Sequence, residues 1–323
     1  MKAIRFRETG GPEVLSLEDI DLPQPKPGQA RVRHTAVGLN FIDTYQRNGL
    51  YPVPMPSGLG MEAAGVVEAV GDGVTDVRPG MRVGYAGGGL SAYSEAANVA
   101  ADRLVPLPDW VSDEEAAAVM LKGLTVQYLL RQTYPVREGE TILFHAAAGG
   151  VGLIACQWAK HLGVTVIGTV SSDEKAELAR AHGCHHVIVY SRENFVERVL
   201  EITNGEKVPV VYDAVGATTF DGSLDCLRPR GMMVSFGNAS GPPPPFNLLV
   251  LSQKGSLFLT RPTLFHYTAT RDELLAAAAD LFEVMRSGAV KVEIHQRYPL
   301  AEAAQAHRDL EGRKTTGSTV LLP

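Results

Sequence analysis

Apolar runs recur along the second half of the chain, at residues 141–145, 164–170, 187–190, 208–213, 232–236 and 256–259, each separated from the next by a stretch of helical character. Strands buried on both faces read as unbroken apolar runs, so this rhythm predicts an α/β domain built on a parallel, doubly wound sheet. The intervening stretches carry ordinary helix signals: Ser171, Ser172 and Asp173 open one ahead of Glu174, and Gly183 closes it. The first third of the chain has a different texture. Short apolar runs at 30–39 and 63–70 alternate with Gly and Pro turn signals, which predicts a strand-rich, irregular domain. From about residue 270 the pattern reads as a long amphipathic helix through Arg286, a strand near Val292, a helix from Leu300 and a last strand at 318–322. Such a tail, following a complete Rossmann-type unit, is expected to fold back onto the first domain. Residues 242–245 are all proline and belong on a surface loop.

Length and composition refine this picture. A chain of 323 residues with 45% hydrophobic residues exceeds one ordinary domain and predicts two. With 30 Lys+Arg against 36 Asp+Glu and no block of like charge, nothing points to nucleic acid or an anionic membrane as partner, and a small or neutral substrate fits better. The N-terminal residues mix Lys2, Arg5, Arg7 and Glu8 into apolar positions, unlike a signal peptide, and no later run approaches a membrane span, so a cytoplasmic location is expected. Cys156, Cys184 and Cys226 are scattered and odd in number, which suits core thiols in a reducing compartment.

The sharpest local signal is Ala147-Ala148-Gly149-Gly150-Val151-Gly152, lying between the run at 141–145 and an apolar helix ending near His161. In that strand–turn–helix context Gly149 lets the backbone approach a pyrophosphate, Gly152 lets helix and strand pack closely, and the helix N-terminus offers N–H groups to the anion. A plain glycine-rich turn is the competing reading, which the five strand-like runs that follow make the weaker one. The second strand ends Val170-Ser171-Ser172 without the acid that an NAD enzyme places there for the ribose hydroxyls. Ser171, Ser172 and Lys175 can bind a 2′-phosphate, so NADPH is expected over NADH. Asp173 and Glu174 argue mildly the other way, and Lys175 taken alone reads more readily as a solvated helix residue. Tyr190, at the end of the third strand, can pack along the adenosine or simply fill the core.

At this point the chain resembles a known family, the zinc-independent quinone oxidoreductases related to zeta-crystallin, within the medium-chain dehydrogenase/reductase superfamily. The likeness covers essentially the whole length. It rests on Gly10-Gly11-Pro12-Glu13-Val14-Leu15, on Asn40-Phe41-Ile42-Asp43 continuing to Tyr45, Arg47, Gly49 and Tyr51, and on Gly60-Met61-Glu62-Ala63-Ala64-Gly65. The segment from Gly139 through the glycine-rich loop to Lys160 belongs to the same likeness, and alanine at position 147 is common in that family. The resemblance implies a GroES-like catalytic domain from residues 1–125 and 267–323, an NADPH-binding Rossmann domain from 126–266, and a homodimer joined through the nucleotide domains.

The superfamily's alcohol dehydrogenases hold a catalytic zinc at places that here correspond to Asn40, Met61 and a position near Thr125, none of them a good zinc ligand. Their four-cysteine lobe is missing, and Cys184-His185-His186 is not expected to bind metal. Without a metal, hydride transfer from NADPH favours acceptors with a low-lying empty orbital, quinones or activated enones over unactivated ketones. Donors must then meet the oxygen that becomes negative, a role suited to an amide or a phenol. Asn40, Tyr45 and Tyr51 are the candidates, and the resemblance sets them around the nicotinamide pocket with Lys122 and Thr125 close by. Packing is the competing role for either tyrosine, and Tyr51 before Pro52 can also shape a turn. The resemblance adds Phe41, Gly150, Val151, Gly237, Asn238, Ser240 and Arg313 to the cofactor contacts. Asn238 and Ser240 follow a predicted parallel strand, where open α/β sheets bind ligands. Arg313, in a charged stretch, reads by itself as a solvated arginine. Two other functions remain open: an NADPH-dependent enone or enoyl reductase of the same superfamily, and a non-catalytic NADPH-binding protein of the crystallin or RNA-binding kind. The net charge of −6 argues against RNA.

Overall fold

The computed structural model describes all 323 residues. Two compact units emerge, one from residues 1–124, 268–279 and 292–323, the other from 125–267 and 280–291. Residues 280–291, which the sequence reading groups with the catalytic domain, thus pack with the second unit.

The first unit is built on a seven-stranded sheet with a three-stranded sheet beside it in the chain. Gln29–Leu39 is its spine, pairing antiparallel with Glu62–Val70, Ala96–Ala100 and the C-terminal strand Ser318–Leu322. Ser318–Leu322 in turn runs parallel to Ile294–Pro299, the strand foreseen near Val292 and found slightly later. The tail therefore completes the sheet of the first unit. Alternation along the spine, with its parity shifted by an irregularity between His34 and Ala36, turns Ala30, Val32, Val37 and Leu39 into one core with Ile4, Phe6, Val67, Tyr85, Tyr93 and Leu321.

The second unit holds six parallel strands: Thr141–Phe144, Thr165–Val170, His186–Val189, Val208–Asp213, Leu227–Ser235 and Phe258–Thr260. In space they lie in the order third, second, first, fourth, fifth, sixth. That is the doubly wound Rossmann arrangement, whose crevice opens at the carboxyl ends where the order reverses beside the first strand. Every residue of Val208–Asp213 is buried, as a central strand covered on both faces requires. Helices Gly150–His161, Asp173–Ala181 and Phe195–Ile202 supply the covering, and the second core gathers Leu143, Ile167, Ile188, Val211, Phe220 and Met233. All three cysteines are free and buried. Prolines 242–245 lie in a segment without regular structure. No helix is long and apolar enough to cross a membrane.

Candidate active site

Asn40 sits where the spine strand Gln29–Leu39 gives way to the helix Phe41–Arg47, and it caps that helix. Its side chain accepts the Asp43 N–H while Asp43 Oδ2 accepts the Asn40 N–H at 2.8 Å, a reciprocal capping box. The amide nitrogen of Asn40 donates to Glu62 Oε2 at 2.8 Å. Glu62 opens the neighbouring strand Glu62–Val70, is fully buried, and also accepts the Leu121 N–H at 2.6 Å and the Lys122 ammonium at 3.2 Å. A Cβ at Gly38 would lie 2.1 Å from Glu62 Oε2, so glycine on the spine strand leaves the room that this carboxylate occupies. One carboxylate thus anchors the amide and balances a buried ammonium.

Behind Asn40 the polar chain continues inward. Asp43 Oδ2 also accepts the Tyr93 hydroxyl at 2.9 Å, while Oδ1 is buried without a partner. Burial pushes the Asp43 carboxyl up to about 7, against the lowering effect of the Asn40 and Tyr93 hydrogen bonds and the Lys122 charge. The Tyr93 oxygen lies 3.1 Å from His307 Nε2, and His307 Nδ1 lies 3.0 Å from Arg47 Nη1. A guanidinium only donates, so Nδ1 accepts, Nε2–H donates to the tyrosine oxygen, and the tyrosine proton points at Asp43. Burial, helped by the Arg47 charge, pulls His307 down to about 3 and keeps it neutral. Arg47 closes the chain with a two-point contact to Glu311 at 2.9 and 2.7 Å.

The helix after Asn40 carries an aromatic group. Tyr45 meets Tyr51 edge-on with ring centroids 5.3 Å apart and Phe41 at 6.2 Å, and the Tyr51 N–H donates to Tyr45 O at 2.9 Å. Thr125 falls in the second unit, on the helix Asp113–Tyr128, where its side chain hydrogen-bonds Tyr128.

In the second unit the glycine-rich loop follows Thr141–Phe144 and leads into Gly150–His161, with Gly149 as N-cap and no side chain capping it. Ala146 holds a φ of +56°, an uncommon conformation for a residue with a Cβ, at the sharp turn between strand and loop. A Cβ at Gly152 would meet Ala146 O at 2.3 Å, whereas one at Gly149 meets nothing closer than 3.4 Å. Gly152 therefore serves close packing, and Gly149, Gly150 and Val151 present the bare helix N-terminus.

Ser172 is the N-cap of Asp173–Ala181, its hydroxyl accepting the Lys175 N–H at 3.4 Å, and Ser171 precedes it. Tyr190 follows the strand His186–Val189, half exposed, with its N–H on Val170 O at 3.0 Å. Gly237, Asn238 and Ser240 follow the fifth strand and pack backbone to backbone on residues 214–217: a Cβ at Gly237 would meet Ala214 O at 2.5 Å. Ser240 Oγ donates to Val215 O at 2.9 Å and accepts the Thr218 N–H at 3.1 Å. With its amide oxygen toward Arg261, Asn238 accepts from Nη2 at 3.2 Å and donates to Gly237 O at 2.8 Å. A buried strut supports these loops from below: His145 Nε2 donates to Ser223 Oγ at 3.0 Å, which donates to Asp213 Oδ2 at 3.0 Å. Asp213 Oδ1 also takes the N–H groups of Val215 and Gly216, at 2.7 and 3.0 Å.

The structure thus brings the expected residues into two sets. Asn40, Phe41, Tyr45 and Tyr51 gather in the first unit. Gly149 to Gly152, Ser171, Ser172, Lys175, Tyr190, Gly237, Asn238 and Ser240 lie on successive loops at the carboxyl ends of the second unit's strands. Arg313 stands on the exposed turn after Ala303–Glu311 in the first unit, at a φ of +58°. Glu62, Asp43, Tyr93 and His307 escaped the sequence reading as site residues. The one signal for Glu62 was an acid inside an otherwise apolar run, and His307 lies 264 residues from Asp43 with no pattern linking them. The chain has no group of three or more His, Cys, Asp or Glu arranged to hold a metal, and Met61 Sδ instead accepts from Gln46 Nε2 at 3.2 Å.

Comparison with known proteins agrees with this geometry. Residues 26–109 match the alcohol dehydrogenase GroES-like domain family, and residues 150–283 match the family called zinc-binding dehydrogenase. A quinone oxidoreductase of Pseudomonas aeruginosa is 62% identical over 100% of this chain and 99% of its own length. The crystal structure of Escherichia coli quinone oxidoreductase complexed with NADPH superposes with a TM-score of 0.99 at 53% identity, covering 100% of both chains. A 2-haloacrylate reductase of a Burkholderia species is 48% identical over 98% of both chains. With a polar site, two units and full-length relatives of this similarity, the chain belongs to the quinone oxidoreductase family of the medium-chain dehydrogenase/reductase superfamily.

Proposed function

We propose that this protein is an NADPH-dependent quinone reductase that works without zinc. The observation that carries the reading is the Asn40 amide, fixed by Glu62 and Asp43, on a chain whose full-length relatives include quinone oxidoreductases.

The residues of the second unit fit a dinucleotide. The uncapped N-terminus of Gly150–His161 offers N–H groups to a pyrophosphate, and Gly149 leaves the approach open. Ser171, Ser172 and Lys175, at the end of the second strand, are the proposed ligands of an adenosine 2′-phosphate, with Tyr190 following the neighbouring third strand. The loops of Gly237, Asn238 and Ser240 are held rigid by Arg261 and by residues 214–217, which suits them to frame the nicotinamide end. When bound, NADPH supplies a hydride.

The first unit supplies donors. An amide nitrogen has two protons, and Glu62 takes one of those of Asn40. The other is offered to the acceptor oxygen as it gains negative charge, with the phenols of Tyr45 and Tyr51 as further donors. Because Asn40 is held through its nitrogen, its oxygen and its backbone N–H, it needs no reorganisation when charge develops. The neighbouring Lys122 ammonium adds a positive field inside a buried site.

Oxidation of NADPH by a small para-quinone, followed on chelator-treated protein and compared with NADH, tests the reading. NADPH-selective turnover that survives chelation is expected; loss on chelation, or equal use of NADH, overturns it. A second reading, reduction of an activated carbon–carbon double bond, is favoured by the 2-haloacrylate reductase relative. A panel of enones and haloacrylates beside the quinone ranks the two by kcat/KM.

We also infer a homodimer through the second unit in the cytoplasm. Phe258–Thr260 is the last strand of its sheet, and Phe258 is 58% exposed, with Leu248 and Leu249 at 71% and 56% in the same unit. An unpaired edge with apolar neighbours suits pairing with a second copy. Light scattering on wild-type protein and on Phe258→Glu is expected to give a dimer and a weakened dimer; a wild-type monomer overturns it. Three buried free thiols are consistent with a reducing compartment.

A further inference from the structure

We propose that Arg192 is a ligand for the adenosine 2′-phosphate, held ready for it by Asp173, and that this pair makes the protein select the phosphorylated cofactor. The inference rests on the NADPH reading above and names a residue beyond those already assigned to that site.

The second strand, Thr165–Val170, hands over to Ser171, to the N-cap Ser172 and then to Asp173, the first residue of the helix Asp173–Ala181. An acid so close to this strand end is a problem for an NADPH site. A bare carboxylate there repels a phosphate and invites ribose hydroxyls. The structure shows the carboxylate engaged: Arg192 Nη1 and Nη2 reach its two oxygens at 2.6 Å each. The Asp173 carboxyl is accordingly held below its usual range by Arg192.

Arg192 is brought there by the sheet. Its strand, His186–Val189, runs parallel to Thr165–Val170 with Val189 opposite Val170. Past the strand the Tyr190 N–H donates to Val170 O at 3.0 Å, and the Arg192 N–H turns back to Val189 O at 3.1 Å. Glu193 Oε1 accepts the Val189 N–H at 2.9 Å and tightens the same turn. Tyr190 and Arg192 are thereby carried to the same end of the sheet as Ser172 and Lys175.

Further charges act on the pair: the Glu193 carboxylate on Arg192, and Arg180 on Asp173. Glu174 Oε2 lies 3.5 Å from Ser172 Oγ, and Arg180, which also acts on Asp173, is paired with Glu177. The two-point contact with Asp173 leaves further N–H donors on the guanidinium, suited by their planar fork to a phosphate. Side-chain exposure of 57% for Arg192 and 73% for Asp173 means that the pair is weak in water, so sharing the guanidinium with an incoming phosphate costs little.

Binding separates this role from simple charge balance. Dissociation constants of NADPH and NADH, and calorimetry with adenosine 2′,5′-bisphosphate and adenosine 5′-monophosphate, are compared for wild type, Arg192→Ala, Asp173→Asn and the double variant. Arg192→Ala is expected to weaken the 2′-phosphorylated ligands roughly tenfold, the loss of a charge-assisted hydrogen bond, and to leave the other two within about twofold. The double variant should stay weak. Recovery of wild-type affinity in the double variant, or equal weakening of both classes by Arg192→Ala, overturns the proposal. Wild-type protein that binds NADPH and NADH alike defeats the NADPH reading itself, before any variant is compared.

Discussion

Glu62 Oε2 accepts the Asn40 amide at 2.8 Å and the Lys122 ammonium at 3.2 Å, so a single buried oxygen joins the proposed donor to an internal cation. Replacing Glu62 by Gln keeps the shape but leaves the ammonium, 7% exposed, without its counter-charge. Removing one partner of a buried pair costs about 3–5 kcal/mol. Denaturant unfolding should show a loss of that size, and a loss under 1 kcal/mol would mean that the ammonium finds water.

Asn40 has a structural role as helix cap besides the proposed chemical one, and substitution separates them. Asn40→Ser keeps a capping oxygen and stays within about 1 kcal/mol of wild-type stability. It lacks the amide donor, and kcat/KM for quinone is expected to fall roughly a hundredfold. Wild-type kcat/KM in a folded Asn40→Ser protein would confine Asn40 to capping.

Asp43 makes stability depend on pH in an unusual direction. Burial raises its folded carboxyl to about 7, above the ordinary 3.8 of an aspartate, so between those values the folded state keeps a proton that the unfolded state has lost. Its contribution is therefore fully present below about pH 4 and is lost as pH rises to 7, by about 1.4 kcal/mol per unit. Asp43→Asn cannot titrate. The difference in unfolding free energy between wild type and Asp43→Asn should shift toward the variant from pH 5 to pH 7.5, and a flat difference would show that Asp43 is ionised throughout.

Gly152→Ala places a methyl group 2.3 Å from Ala146 O and 2.7 Å from Ala147 Cα, both in the loop that leads to the helix. The backbone must move, at a cost of about 1–3 kcal/mol. NADPH affinity, read by nicotinamide fluorescence, should drop roughly tenfold or more, while Gly149→Ala, with its nearest atom at 3.4 Å, leaves the fold intact. Equal, small effects at both positions would remove the loop from the pyrophosphate site.

Ser172→Ala and Lys175→Ala test the proposed 2′-phosphate end of the same cofactor. Ser172 also caps its helix, so some stability, about 1 kcal/mol, goes with the hydroxyl. The informative quantity is the ratio of KM values: a rise for NADPH much larger than for NADH is expected in both variants. A parallel rise for the two cofactors would leave Ser172 as a cap alone.

Much of this was legible in one dimension because its causes are local. Unbroken apolar runs mark strands covered on both faces, and those at 141–145, 164–170 and 208–213 became central strands of the Rossmann sheet. The glycine-rich loop, the serine cap at 172 and the absence of an acid at the end of the second strand are likewise properties of neighbouring residues. The partners of Asn40 are of another kind. Glu62 comes from the adjacent strand, Lys122 from a helix some sixty residues further on, and the chain from Asp43 through Tyr93 to His307 draws on both ends of the protein. Arg192 meets Asp173 only because parallel pairing carries two strand ends to one edge. Hydrophobic periodicity is blind to such contacts, since a buried polar residue breaks the pattern wherever it falls. The sequence by itself determined the elements, the Rossmann sheet and the loops at the carboxyl ends of its strands; only the tertiary structure decided which charges meet in the core, because burial makes each depend on a partner that the chain order does not reveal.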